Sequence, residues 1–391
     1  MSQQRATAYV VHKYGTAFAL EEVILGALAS DQVRVKLKAT GICHTDLLAA
    51  NGGIPVELPA ILGHEGVGQI TEVGSAVTLL KKDDHVILSF ASCATCAKCL
   101  SGHPNHCHSF VPLNLTGIRT AESSRTILEL TSSEQSALTD LTTLFFGQSS
   151  LSSYANVNQR SCVPFDPAVL QRSGGQPIPL SHLAPFACGF MTGAGTVINS
   201  CKPNLGSSIA IYGAGAVGIA AIAAAAHLTC ANTIIAVDIN PDKLALAAKA
   251  GATLTINSRE GEELHNRLIQ DATQGNGPDF VIDTTGNVRV IQQMLSSMSR
   301  TGTAIQLAGP STGPNVQLHP SFMVNNAATY KGVIEGDANP ALTIPALVDH
   351  YRRGRFPIGD LITEYPHKDL DRAIADIHSG KTVKAVLVWN D

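Results

Sequence analysis

Between residues 5 and 40 the apolar positions fall in short runs: Ala8-Tyr9-Val10-Val11, then Phe18 to Val23, then Gln32-Val33-Arg34-Val35-Lys36-Leu37-Lys38, which alternates with a period of two. Alternation marks a half-buried strand, and strands this close with no helical spacing between them predict a compact β module. Gly41-Ile42-Cys43-His44-Thr45-Asp46 then opens a short helix, and Pro59 to Gly68 sets His64 in a glycine-flanked strand entry where backbone can pass close to a ligand. Strands are predicted again over Gly68 to Val77, turning at Gly74-Ser75, over Asp84 to Phe90, and near Ser153 to Val157. Thr120 to Thr143 has no clear period, and Arg172 to Pro177 reads as a surface loop.

The spacing changes at Ser207. Ser208-Ile209-Ala210-Ile211-Tyr212 is a buried strand, Gly213-Ala214-Gly215-Ala216-Val217-Gly218 follows it, and an alanine-rich helix runs to about His227. Thr233 to Val237 is a second strand ending in Asp238, twenty residues past Gly218. G-x-G-x-x-G between a strand and a helix, with an acid at that distance, is a dinucleotide fingerprint. The glycines admit a pyrophosphate to the helix N-terminus, and Asp238 accepts from the adenosine ribose hydroxyls. A 2′-phosphate would meet a like charge there, so NAD is expected over NADP. Lys243 either touches the same ribose or is a solvated charge on a helix face. Phe280 to Gly286 and Gly302 to Gly309 continue the alternation as further parallel strands. Helices over Ile344 to Arg353 and Leu370 to Ser379 precede a last strand, Lys384 to Trp389, expected to return to the first module.

Composition narrows the function classes. A chain of 391 residues, 45% hydrophobic, has room for two domains with well-buried interiors. No apolar run reaches membrane-spanning length without glycines or prolines breaking it, and a net charge of −4 offers neither a basic face for nucleic acid nor a polybasic membrane patch. The start, Met1 to Ala6, carries no secretory signal, so a cytoplasmic location is expected. In such a chain nine cysteines, four of them crowded into one stretch, point to metal before disulfides.

Those four are Cys93, Cys96 and Cys99 at a regular spacing, with Cys107 beyond. Four thiolates close a tetrahedral shell around zinc and leave no vacant position, so they staple a loop rather than react. Cys43, His64 and Cys188 form a different set: two thiolates and an imidazole suit zinc and leave its fourth position open to a substrate. Beside them Thr45 offers a hydroxyl to pass a proton, and Asp46 a carboxylate to hold a ligating histidine in one tautomer. Alone, this trio reads more readily as buried structural cysteine and satisfied core histidine than as a metal site. The cysteine loop and the dinucleotide fingerprint on the same chain tip the balance toward catalysis.

With these three features in this order, the chain resembles the zinc-dependent medium-chain alcohol dehydrogenases. Its nearest look is to the aryl (benzyl) alcohol dehydrogenase branch, through CHTDL, ILGHEG, FFGQSS, TGAGTV, YGAGAVG and VDINPDKL. The resemblance implies an α/β protein: a GroES-like β-rich catalytic domain at 1–189, a Rossmann doubly wound parallel-sheet NAD-binding domain at 190–334, and a return segment at 335–391. It implies a catalytic zinc on Cys43, His64 and Cys188 with Glu65 as alternate ligand, and a structural zinc on Cys93, Cys96, Cys99 and Cys107. Thr45 becomes the proton relay and Asp46 the partner of His64. His44 and Lys384 would lie near the pyrophosphate, and Thr192 and Val217 beside the nicotinamide.

Two departures stand out. Leu48 lies three residues after Thr45, where many members have a histidine that finishes the proton path, and the segment between Cys107 and Cys188 is longer. Leu48 adds apolar wall and fits a hydrophobic or aromatic substrate, while Phe90, Phe110 and Phe186 are pocket lining or ordinary core. The expected activity is hydride transfer between a primary, aromatic or allylic alcohol/aldehyde pair and NAD, in a homodimer or homotetramer. Two other classes stay open. A cyclase or isomerase on the same zinc scaffold has Thr45 and Asp238 against it, and a non-catalytic zinc-stapled binding protein has the complete trio against it. A polyol or formaldehyde dehydrogenase would differ in substrate alone.

Overall fold

The computed structural model describes residues 4–116, 126–128, 139–172, 175–309 and 315–389. Much of the stretch Thr120 to Thr143 and part of the Arg172–Pro177 loop lie outside them. The chain divides into two units, one of residues 1–188, 339–352 and 362–391, the other of 189–338 and 353–361.

The first unit holds a five-stranded and a seven-stranded sheet. The larger one runs Cys162–Phe165, His85–Leu88, Gly66–Val73, Gln32–Gly41, Lys384–Val388, Ile362–Pro366, with Tyr154–Asn158 also paired to Gln32–Gly41. The alternating segment at Gln32 is therefore a central strand. Neighbours are antiparallel around it, with Gly41 opposite Val386, Thr40 opposite Gly66, and Gly66 opposite Leu88. The end of one strand, the start of two others and the end of a fourth thus meet at one rim of the sheet. Cys43, His64, Glu65 and Lys384 all sit at that rim. The last strand returns to this sheet as expected.

The second unit is a six-stranded parallel sheet in the order Leu254–Asn257, Thr233–Asp238, Ser208–Tyr212, Phe280–Asp283, Thr303–Gln306, Thr329–Gly332. By sequence this is 3-2-1-4-5-6, the doubly wound dinucleotide-binding order, with its switch between the Ser208 and Phe280 strands. The helix Ala216–Leu228 shows no amphipathic stripe because it is buried almost all round, Ile219 to Ala225 being inaccessible. Its alanines allow close approach: a Cβ on Gly193 of the helix Gly189–Gly195 would run into Val217 O. The helix Pro241–Ala250 is capped by Asn240, whose Oδ1 accepts from Asp242 N at 2.9 Å, and ends on Gly251 at φ 115°.

Gly189, expected at the end of the first domain, opens the second unit. Residues 335–338 and 353–361, expected in the return segment, group with the second unit. In the latter stretch Phe356 and Ile358 are fully buried, so this piece is part of a core and not a linker.

Candidate active site and metal centres

The helix His44–Ala50 starts directly after Cys43, and its first turn folds Asp46 back over the site. Asp46, fully buried, accepts from Cys43 N at 3.0 Å through Oδ2 and from Gly63 N at 3.1 Å through Oδ1, which also lies 2.8 Å from His64 Nδ1. One carboxylate thus ties together the two segments that carry Cys43 and His64. It also fixes the Nδ1 proton, leaving the Nε2 lone pair available. His64 Nε2 is buried without a hydrogen-bond partner among the described residues. Ligand atoms of Cys43, His64, Glu65 and Cys188 all lie within 4.8 Å of one another. Thr45 Oγ1 lies 3.7 Å from Cys43 Sγ.

Charge is concentrated here. A shared hydrogen bond with Cys188, with help from His64 and Lys384, holds the Cys43 thiol well below the usual range against the cost of burial. Burial alone would lower His64, but Asp46 and Cys43 outweigh it and raise the imidazole well above its ordinary value. The pull that favours an imidazolium is the same pull that would favour a bound cation. Lys384, implied to lie by the pyrophosphate, is 3% exposed and spends its amine inside the rim. Its Nζ is 2.6 Å from Glu65 Oε2 and donates to Ile42 O at 3.1 Å. Burial would lower this amine; the Glu65 and Cys43 charges keep it raised. Gly41 is required by the same pair, since a Cβ there would collide with Glu65 Oε2. His44 is exposed at the helix start.

A residue that the sequence reading passed over organises the rim. Gln148, inaccessible to solvent, donates from Nε2 to the carbonyls of His64 (2.9 Å), Leu88 (3.0 Å) and Ser89 (3.0 Å) and accepts from Gly66 N at 3.1 Å. Its segment is tightly wound, with Leu144, Phe146, Gly147 and Ser149 all at positive φ. Phe146 stacks on the His64 ring, centroids 4.6 Å apart, and Phe145 meets it edge-on at 5.8 Å. The signal was the FFGQSS string itself; its neighbours in space were not readable. Phe90, Phe110 and Phe186 are buried core, 2%, 6% and 0% exposed.

The four-cysteine loop follows the strand His85–Leu88. Cys93, Cys96, Cys99 and Cys107 bring their sulfurs within 4.8 Å of one another as free thiols. The separations Cys93–Cys99 and Cys96–Cys99 are 3.8 and 3.6 Å. A tetrahedron with sulfur arms of about 2.3 Å has an edge of roughly 3.8 Å, so the cluster has the dimensions of a filled zinc shell. The N–H and hydroxyl of Thr95 and the N–H of Cys96 point at Cys93 Sγ and lower that thiol to about 5.

In the second unit Gly213 has φ 97°, and a Cβ on Gly218 would strike its carbonyl oxygen. Gly215 caps the helix Ala216–Leu228 without any side chain, and the space where its Cβ would stand is open within 4 Å. Unsatisfied N–H groups facing open space are a fit for phosphate. Asp238 ends its strand half-buried, its Oδ2 accepting from Ala214 N at 2.6 Å and its Oδ1 from Asn240 N at 2.8 Å. Thr192, Val217 and Lys243 are half-buried.

A two-unit enzyme with an open thiolate–imidazole site, a four-thiolate loop and a dinucleotide sheet is the class these features define. Residues 29–167 match the alcohol dehydrogenase GroES-like domain and 216–351 the zinc-binding dehydrogenase family. The chain is 33% identical over 384 residues to geraniol dehydrogenase of Castellaniella defragrans, covering 98% of each. It is 31% identical to S-(hydroxymethyl)glutathione dehydrogenase of Paracoccus denitrificans, covering 98% of this chain and 100% of that one. Benzyl alcohol dehydrogenase of Acinetobacter calcoaceticus superposes with a TM-score of 0.88 at 33% identity, over 99% of this chain and 100% of that one. The chain belongs to the zinc-dependent alcohol dehydrogenase family and is an oxidoreductase with a GroES-like and a Rossmann-like part. Among the described residues no helix is long and apolar enough to cross a membrane.

Proposed function

We propose that this enzyme interconverts primary aromatic or allylic alcohols and their aldehydes with NAD as hydride carrier, with one zinc on Cys43, His64 and Cys188 and a second on Cys93, Cys96, Cys99 and Cys107. The observation that carries the reading is His64 Nε2, buried without a hydrogen-bond partner among the described residues, beside two cysteine sulfurs, with Asp46 fixed on the far nitrogen. Bound to this enzyme, zinc supplies Lewis acidity and NAD a two-electron acceptor. Asp46 holds the proton on His64 Nδ1, so Nε2 keeps its lone pair free for a metal. The two thiolates offset a divalent charge, which favours an exchangeable fourth ligand. Thr45 Oγ1 would accept the hydroxyl proton of the substrate while giving up its own, and Leu48 on the following turn offers no group to carry that proton onward.

Leu48 and two named relatives support the substrate class, since geraniol is allylic and benzyl alcohol aromatic. Asp238 supports NAD: a second negative charge about 5 Å away costs on the order of 1–3 kcal/mol at this partly solvated position. A homodimer or homotetramer is proposed, to be checked by light scattering. The test follows reduced-cofactor absorbance with benzyl, cinnamyl, geranyl and straight-chain alcohols and S-(hydroxymethyl)glutathione, each with NAD and NADP. Fast NAD reduction by the conjugated alcohols, lost in Cys43→Ser, is expected. If every alcohol and aldehyde fails while zinc analysis finds both sites filled, alcohol oxidation is the wrong reaction.

A further inference from the structure

We propose that the carboxylate of Glu335 faces the nicotinamide end of the bound dinucleotide and favours its oxidised, cationic form over the reduced one. The inference rests on the reading that the second unit binds NAD. A dinucleotide lies across the carboxyl ends of a doubly wound sheet, one half on each side of the switch point. Asp238 ends the strand next to Ser208–Tyr212 on one side and takes the adenosine ribose. The nicotinamide half then falls over the strands Phe280–Asp283, Thr303–Gln306 and Thr329–Gly332. Glu335 follows the carboxyl end of the last of these.

The backbone there is unusual. Glu335, Gly336 and Asp337 have φ of 52°, 67° and 49°, three left-handed residues in succession. Side-chain-bearing residues hold that conformation only where the surroundings dictate it, and such strain gathers at functional sites. The surroundings are the helix Gly189–Gly195 and the π-helix Thr196–Cys201. A Cβ on Gly336 would press on Met191 O and Thr192 O, and Asn199 Nδ2 donates to Gly336 O at 3.1 Å. Asp337 is held by Ser200 Oγ and by Lys331 Nζ at 3.3 Å. Glu335 itself, 8% exposed, has Oε2 3.5 Å from Thr192 Oγ1. Gly193, the next residue, packs on Val217 O in the first turn of the fingerprint helix. A nearly buried acid thereby lies against Thr192, one residue before the glycine that packs on the first turn of that helix.

The nicotinamide ring is positively charged in NAD⁺ and neutral once it has accepted hydride. A fixed negative charge therefore strengthens binding of NAD⁺ and leaves NADH almost untouched, which shifts the ratio of the two affinities toward the oxidised cofactor. The experiment measures Kd for NAD⁺ and NADH by calorimetry on the zinc-loaded full chain, comparing wild type with E335Q and E335D. The expected result is a Kd for NAD⁺ raised about five- to tenfold in E335Q, with NADH within about twofold and E335D close to wild type. Equal shifts for both cofactors mean a merely structural residue and overturn the inference, as does no shift at all. Should E335Q not fold, E335S reads the same ratio. Wild type that binds neither cofactor overturns the proposed function and this inference together; wild type that binds both, with E335Q shifting them alike, overturns the inference only.

Discussion

Asp46→Asn keeps the shape of the side chain and changes its chemistry, which makes it a sharp test of the metal site. Asp46 offers two acceptor oxygens to three donors, Cys43 N, Gly63 N and His64 Nδ1, at 3.0, 3.1 and 2.8 Å. An asparagine offers one oxygen and an NH₂. If the oxygen faces Gly63 and His64, the NH₂ points at Cys43 N–H; turned over, it points at Gly63 N–H and forces His64 to carry its proton on Nε2, the wrong tautomer for a ligand. Either way one buried donor is orphaned at about 1–3 kcal/mol, and lost charge on the remaining bonds adds roughly 1 kcal/mol. The expected totals are about 2–4 kcal/mol of stability and zinc affinity about 10–100-fold weaker at the open site. The assay is competition with a chromogenic chelator, read as two classes of zinc, alongside urea unfolding. The four-cysteine loop shares none of these bonds and serves as internal control. A weaker zinc class within about threefold of wild type, with unfolding free energy changed by less than about 0.5 kcal/mol, refutes the reasoning.

Gln148→Leu removes an amide that serves three carbonyls and one N–H at the rim; a loss of about 3–5 kcal/mol is expected in urea unfolding, and an unchanged midpoint counts against the hub. Burial pushes the Cys201 thiol up to about 12 and Cys162 higher still, while Cys230 is exposed. A thiol reagent at about pH 8 should therefore label Cys230 quickly and spare the other two in the folded protein, as read by peptide mass spectrometry; rapid labelling of Cys201 contradicts its burial. Burial also lowers His182, with Glu364 opposing and Arg172 adding to the effect. Its folded value lies below the unfolded one, so the unfolded chain binds more protons in mild acid: the contribution is present above about pH 6.5 and lost as pH falls below it. Stability measured from about pH 7 to 5 should fall less steeply in His182→Gln, and an identical slope sinks the assignment.

What the sequence determined by itself is what depends on neighbours along the chain. The fingerprint Gly213–Gly218 with Asp238, the regular cysteines at 93, 96 and 99, and the period-two strand at Gln32 are local patterns, because helix, strand and knuckle geometry convert fixed spacings into fixed directions. Cys43, His64 and Cys188 were legible only as residue types: up to 145 residues separate them, and pairing of antiparallel strands at one rim is what brings the first two together. The tertiary structure alone decided that Lys384 pairs with Glu65, because strand register sets which side chains oppose each other across a sheet. It alone decided that Gln148 bonds four backbone groups and that Phe146 stacks on His64. It alone wound Glu335, Gly336 and Asp337 into a left-handed turn against Thr192. A buried amide, ring or carboxylate must find partners in space, and the chain's linear order does not name them.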